Sequence, residues 1–309
     1  MSKQLNQWKL SAIALSVILS LTACDGDDGN DGVKGVDGTN GVNGTDGIDG
    51  ANGMDGTDAT ANGAPVLTRL ATVPAGAEVT GAFLSDEGDL FFNVQHPSDA
   101  NSEIDSVNNK SYDKGTVGVL RGVNFNNLPN NIVSSPVPET EYERQTVMSA
   151  IGEYQILGQT NDVYADLGDK GLAKGLGVHY GIVSGEKIIE NNAPDFNGYV
   201  STGENEGFLF TNWESYPGGM SRLKINKDDF GQWSVSEAMM INFDNVAGTA
   251  ANCFGSVSPW GTPLTSEEWV VNSSVDTTTS PSWNNPEAVS TDARLGRMWQ
   301  MTAPDAPNP

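Results

Sequence analysis

Met220-Ser221-Arg222-Leu223-Lys224-Ile225, a polar turn through Asp228, Asp229 and Gly231, and then Trp233-Ser234-Val235 form the stretch that decides the fold class. Leu223 and Ile225, then Trp233 and Val235, alternate with polar neighbours. That is the period of two of a strand with one buried face, not the 3.6 of a helix. The Asp/Gly turn between the two runs joins them as antiparallel neighbours, as in the blade of a propeller. Working outward, residues 90–94, 117–123, 207–213 and 233–243 are further strand candidates, rich in aromatic and branched side chains. Residues 139–152 and 162–174 read as short helices or irregular insertions. The expectation is an all-β, propeller-like domain over residues 64–309. No clean repeat is visible at the usual spacing of about forty to fifty residues per blade.

The N-terminal end has a different character. Lys3 and Lys9 precede an apolar run over residues 10–21, too short to span a bilayer stably. The run closes on Leu21-Thr22-Ala23-Cys24, the form of a lipoprotein signal-peptidase site. Residues 1–23 are therefore read as a signal peptide and Cys24 as the lipidated first residue of the mature chain. The expected location is outside the cytoplasm, anchored by lipid to the cell membrane or outer membrane and facing the periplasm or exterior. Residues 24–63 follow as a tether. From position 26 to 56 glycine recurs at every third residue, the collagen period, but without proline and with Asp or Asn at nearly every third position of the triplet. Two readings follow: a disordered acidic tether, or a collagen-like trimerising or calcium-stabilised bundle.

The net charge is −24, and cleavage after Ala23 would remove two lysines and no acid. Nucleic acid is a poor partner for such a field, and a phosphate ester is repelled unless bound cations reverse the sign locally. The chain has two cysteines, so with Cys24 lipidated no disulfide framework remains and Cys253 is a lone thiol. There are two histidines, His96 and His179, too few for a histidine-rich zinc site. A nucleophile elbow, a phosphate loop and a dinucleotide fingerprint are all missing. Any chemistry must rest on carboxylates, one thiol and backbone oxygens.

The stretch richest in such groups is Asn252-Cys253-Phe254-Gly255-Ser256-Val257-Ser258-Pro259-Trp260-Gly261-Thr262-Pro263-Leu264-Thr265-Ser266-Glu267-Glu268. Paired acids after a Gly/Pro-bounded turn suit a hard cation, and a nearby thiolate suits a transition metal such as iron. The stretch resembles the motif of the PhoX family of alkaline phosphatases: a Cys, a short Gly-containing link, Pro-Trp-Gly-Thr, an apolar pair and Glu-Glu. Gly207-Phe208-Leu209-Phe210-Thr211-Asn212-Trp213-Glu214 is similar to the family's strand ending in Asn-His-Glu. Phe91-Phe92-Asn93-Val94-Gln95-His96-Pro97 looks like its Gln-His-Pro motif, and Pro194-Asp195-Phe196-Asn197-Gly198-Tyr199 like a further family segment.

The family is a β-propeller phosphomonoesterase with an iron and calcium cluster. The resemblance implies Cys253 as an iron ligand, Glu267 or Glu268 as ligands to the cluster's cations, and Glu214 and Asp195 in the same shell. It also implies metal-assisted hydrolysis of small phosphomonoesters, the rival reading being a non-catalytic, surface-attached propeller that binds metal. Three departures stand out. Trp213 replaces the family's histidine, the Gln-His-Pro motif comes early, which makes His96 a structural residue, and the chain stops at Pro309 where family members continue. The propeller is therefore expected to be incomplete, and residues 64–309 alone to bind metal weakly and turn over phosphomonoesters poorly.

Overall fold

The computed structural model describes residues 67–181, 185–243, 248–268 and 298–300, the last three as backbone. The signal segment 1–23, Cys24, the tether 24–63 with its trimer alternative, and the C-terminal stretch 301–309 lie outside the described residues. No helix among the described residues is long and apolar enough to cross a membrane.

The chain is all-β. Its strands are β1 (Ala71–Thr72), β2 (Glu78–Leu84), β3 (Leu90–Gln95), β4 (Thr116–Arg121) and β5 (Met148–Ser149). There follow β6 (Glu153–Gln159), β7 (Val178–Tyr180), β8 (Lys187–Glu190), β9 (Pro194–Gly203) and β10 (Glu206–Trp213). The last are β11 (Gly219–Lys227), β12 (Trp233–Met240), β13 (Asn252–Val257), β14 (Pro263–Glu267) and β15 (Met298–Gln300). All pairings are antiparallel, and each larger sheet is a meander: β2-β3-β4-β6, β9-β10-β11-β12 and β13-β14-β15. The hairpin that decided the fold class is β11–β12, with Lys227 opposite Trp233 and Ile225 opposite Val235. The two expected helical stretches contain α1 (Glu141–Gln145) and a 3₁₀ segment, Ala165–Lys170. A capping box starts α1: the Thr140 hydroxyl accepts from the Glu143 amide, and the Glu143 carboxylate accepts from the Thr140 amide.

The period of two explains the packing. Phe91, Val117, Val119, Leu157, Tyr199, Leu209, Leu223, Ile225 and Trp233 form the core in which the first two sheets meet. The intervening residues on the same strands fill the opposite faces: Phe92, Val94, Leu120 and Tyr154 on the first sheet, Phe208, Phe210 and Met220 on the second. Because β3 is covered on both sides, Asn93 and Gln95, which share a face with Phe91, are buried along with Phe92 and Val94 on the other.

Each of the three larger sheets places its first strand, β2, β9 or β13, at an edge, and β9 packs against both β2 and β13. They run in the same direction: Gly81 lies against Asp195 and Asn197, Gly255 against Phe196, Gly198 against Val257, and Glu87 acts electrostatically on Tyr199. Three meanders contributing parallel inner strands make a blade-like arrangement, and among the described residues no sheet is closed on itself. The close approach depends on glycine. A Cβ at Gly81, where φ is +58°, would run into the Asp195 carbonyl, and one at Gly255 into the Phe196 ring.

His179, on β7, is buried against Gly219, and Asn191 Nδ2 lies 3.4 Å from its Nε2. Burial lowers its pKa to about 4. In the unfolded chain an imidazole titrates near 6.5, so below that pH the unfolded state binds the extra proton. This contribution is complete above about pH 6.5 and declines as pH falls, reaching a loss of about 3 kcal/mol near pH 4. Denaturant midpoints of the wild type and His179→Gln should therefore diverge in slope between pH 7 and pH 4.5, the wild type losing more. Parallel pH profiles would show that His179 is not held neutral.

Candidate metal centre

The inner strands bring three site residues together where β9 and β13 begin. Asp195 is the second residue of β9, Cys253 the second of β13, and Glu214 follows the last residue of β10. One ligand atom from each lies within 4.8 Å of the others. The backbone sets this up. Trp213 pairs with Pro194 across the β9–β10 hairpin, after a register shift, and the Glu214 amide donates to the Ala193 carbonyl at 2.8 Å. The Ala251 amide donates to the Ser215 carbonyl at 2.7 Å, and Asn212 Nδ2 donates to the Cys253 and Phe254 carbonyls at 2.9 and 3.2 Å. These bonds fix β13 beside β10.

The first sheet contributes support. Gln95 Nε2 donates to Glu214 Oε2 at 3.1 Å, Thr80 Oγ1 donates to the Pro194 carbonyl at 2.7 Å, and Asn93 Nδ2 donates to the Asp195 carbonyl. Asn93 is itself held by Asn197, whose Nδ2 donates to Asn93 Oδ1 at 2.8 Å and whose Oδ1 accepts from Thr211 Oγ1 at 2.7 Å. A carboxylate anchored this way loses little entropy when it takes up a ligand.

The electrostatics are one-sided. Burial raises the pKa of Asp195, hydrogen bonds to Cys253 and Glu214 offset part of the rise, and the charges of Glu78 and Glu268 add to it. Burial also pushes the Cys253 thiol well up, reinforced by its hydrogen bond to Asp195 and by the charges of Asp195, Glu214 and Glu268. Among the described residues no lysine or arginine is ion-paired with Asp195 or Glu214. A cation would offset the charge of Asp195 and Glu214.

The donor chemistry fits one. A thiolate with two carboxylates suits a divalent transition metal of the iron or zinc type. The side-chain oxygen of Asn212, fully buried beside Cys253, has no hydrogen-bond partner. Calcium prefers six to eight oxygens, about three times what two carboxylates offer singly. Glu78, which is paired with His96, and Glu268 are further carboxylates that act on Asp195 from nearby.

The two members of the Glu-Glu pair are placed differently. Glu267 is buried opposite Asn252, and its Oε1 accepts from the Ala250 amide at 3.0 Å, so its carboxylate holds the backbone at the start of β13. Glu268, exposed just past β14, is the member within electrostatic reach of Asp195 and Cys253. Trp213 turns away from the centre. It is fully buried in the core, lies against Gly177 and donates from Nε1 to Ser221 Oγ at 2.9 Å. His96 flanks the site with φ of +36°, its Nε2 lying 2.7 Å from Glu78 Oε1 and its Nδ1 3.2 Å from the Gly76 carbonyl. Gln95 and Asn212 lie within the quoted motifs without being named as site residues, and Glu78 carries no metal-site signal in the sequence, since its role exists only once the sheets meet.

A cleft of about 770 Å³ opens along the inner strands from Asp195. Comparison with protein-family models, with curated proteins and with solved structures gives no match to this chain.

Proposed function

We propose that Asp195, Glu214 and Cys253 hold a divalent cation, with Glu268 adding negative charge, and that this centre serves hydrolysis of phosphomonoesters, as the PhoX resemblance implies. The observation that carries the reading is the convergence of these three side chains, with no lysine or arginine ion-paired to Asp195 or Glu214 among the described residues. A bound cation, iron or calcium by the resemblance, supplies the positive charge that a phosphate needs in an acidic protein, and Lewis acidity toward its ester. The chain's own residues do the rest. Cys253 gives up its thiol proton on coordination, Gln95 orients Glu214, and Asn212 and Asn93 hold the backbone of Cys253 and Asp195 in place.

One observation favours a non-catalytic, metal-binding reading: among the described residues no lysine, arginine or histidine lines the cleft. Metal analysis of the purified chain after loading with iron and calcium, followed by hydrolysis of p-nitrophenyl phosphate with and without chelator, separates the two. Bound metal with chelator-sensitive turnover supports the hydrolase. Bound metal without turnover supports the binding protein, and a chain that retains no metal overturns both.

A further inference from the structure

The cleft that starts at Asp195 has a second end with a different chemistry. Phe83, Phe196, Tyr199, Phe254, Val257 and Pro259 supply apolar wall along it. Phe254, with 68% of its surface exposed, is an aromatic side chain left largely open to solvent. At the far end, past β2, the turn carrying Asp86 and Glu87 contributes carboxylates to the lining, and Glu87 acts on Tyr199 four positions along β9 from Asp195. Four residues of strand correspond to about 13 Å. The volume lies in the range of small-molecule sites, about 300–1,000 Å³.

We propose that this cleft binds the organic part of a phosphomonoester that carries a positively charged amine, with phosphate at the Asp195 end and the amine at Asp86 and Glu87. The proposal rests on the cation centre described above for its phosphate end only. A cation there cancels the local negative charge, while the carboxylates at the far end keep theirs, so the cleft is polar in one direction. Ammonium beside carboxylates and aromatic faces is favoured on both counts, whereas a second anionic group at that end would be repelled. The apolar wall between the ends accepts a hydrocarbon or ring linker.

Equilibrium binding to the metal-loaded full chain tests this with four probes: inorganic phosphate, n-octyl phosphate, ω-aminooctyl phosphate and octylammonium. The aminooctyl ester should bind about tenfold more tightly than the octyl ester, equivalent to about 1.4 kcal/mol. In Asp86→Asn/Glu87→Gln that gap should close, with metal content and inorganic phosphate binding unchanged. Phe254→Ala should weaken both esters and leave inorganic phosphate alone. Equal affinity of the two esters for the wild type, or a gap that survives in the double variant, overturns the inference while metal and phosphate binding keep the centre. If metal and phosphate fail to bind but octylammonium binds and is lost in the double variant, the amine site stands and the cation centre falls. If no probe and no metal binds, both fall.

Discussion

Cys253→Ser should lower the affinity of the chain for iron or zinc by at least about a hundredfold, since disturbing even the groups behind a metal ligand costs about 10- to 100-fold. The thiolate is the one soft donor in the cluster, and serine's hydroxyl neither ionises at neutral pH nor matches the metal's softness. Asp195→Asn should cost the metal similarly but move the metal-free protein in the opposite direction. The pKa of Asp195 is raised in the fold by burial and by neighbouring carboxylates. Its ionised form therefore opposes folding, an effect that grows as pH climbs from the ordinary carboxylate value toward the raised one. An asparagine removes that penalty. Thermal unfolding with and without chelator gives the readout: a lower metal-loaded midpoint and an equal or higher metal-free midpoint for Asp195→Asn. Equal metal content and equal midpoints for wild type and both variants would show that these residues are not ligands.

Trp213→Ala should cost about 3–5 kcal/mol of stability, a large share of the roughly 5–15 kcal/mol expected for a domain. The indole is fully buried, fills the space over Gly177 and satisfies its N–H on Ser221. Trp213→His should also destabilise, because the smaller ring leaves a cavity and a buried polar nitrogen. It should add no metal affinity, because position 213 faces the core while Asn212 and Glu214 reach Cys253 and Gln95. Denaturant midpoints and metal content of the two variants decide the matter. A stable Trp213→His with tighter metal binding would show that the side chain at this position reaches the centre.

What the sequence revealed was part of the first two sheets beyond their inner strands, and no strand of the third. β3, β4, β10, β11 and β12 are rich in Phe, Val, Leu, Trp and Met, and simple alternation finds them. The inner strands β2, β9 and β13 escaped because they carry Gly81, Asp195, Asn197, Gly198, Asn252 and Gly255, residue types that propensity assigns to turns. Those residues stand there because the strands crowd one another and carry the polar groups of the centre. No repeat was legible because long excursions and the β7–β8 hairpin separate the first two meanders. Cys253, Asp195 and Glu214 were named from resemblance, and the geometry groups them. The choice between Glu267 and Glu268 depended on a one-residue register in β14, which composition does not encode.

The parallel alignment of the inner strands has a consequence for how the chain folds. Donors and their supports come from Gln95, Asp195, Glu214 and Cys253, in three different meanders that can each form from local pairings. Closing loops of this span is slow and entropically costly, so the cluster assembles late, after the hairpins exist. A chain with its hairpins formed but its sheets undocked would give a β-type circular dichroism spectrum and yet bind no cation. If the proposed centre holds a cation, its affinity is a gauge of sheet docking, and a cation present during refolding would act on the last step of assembly and leave the first ones unchanged.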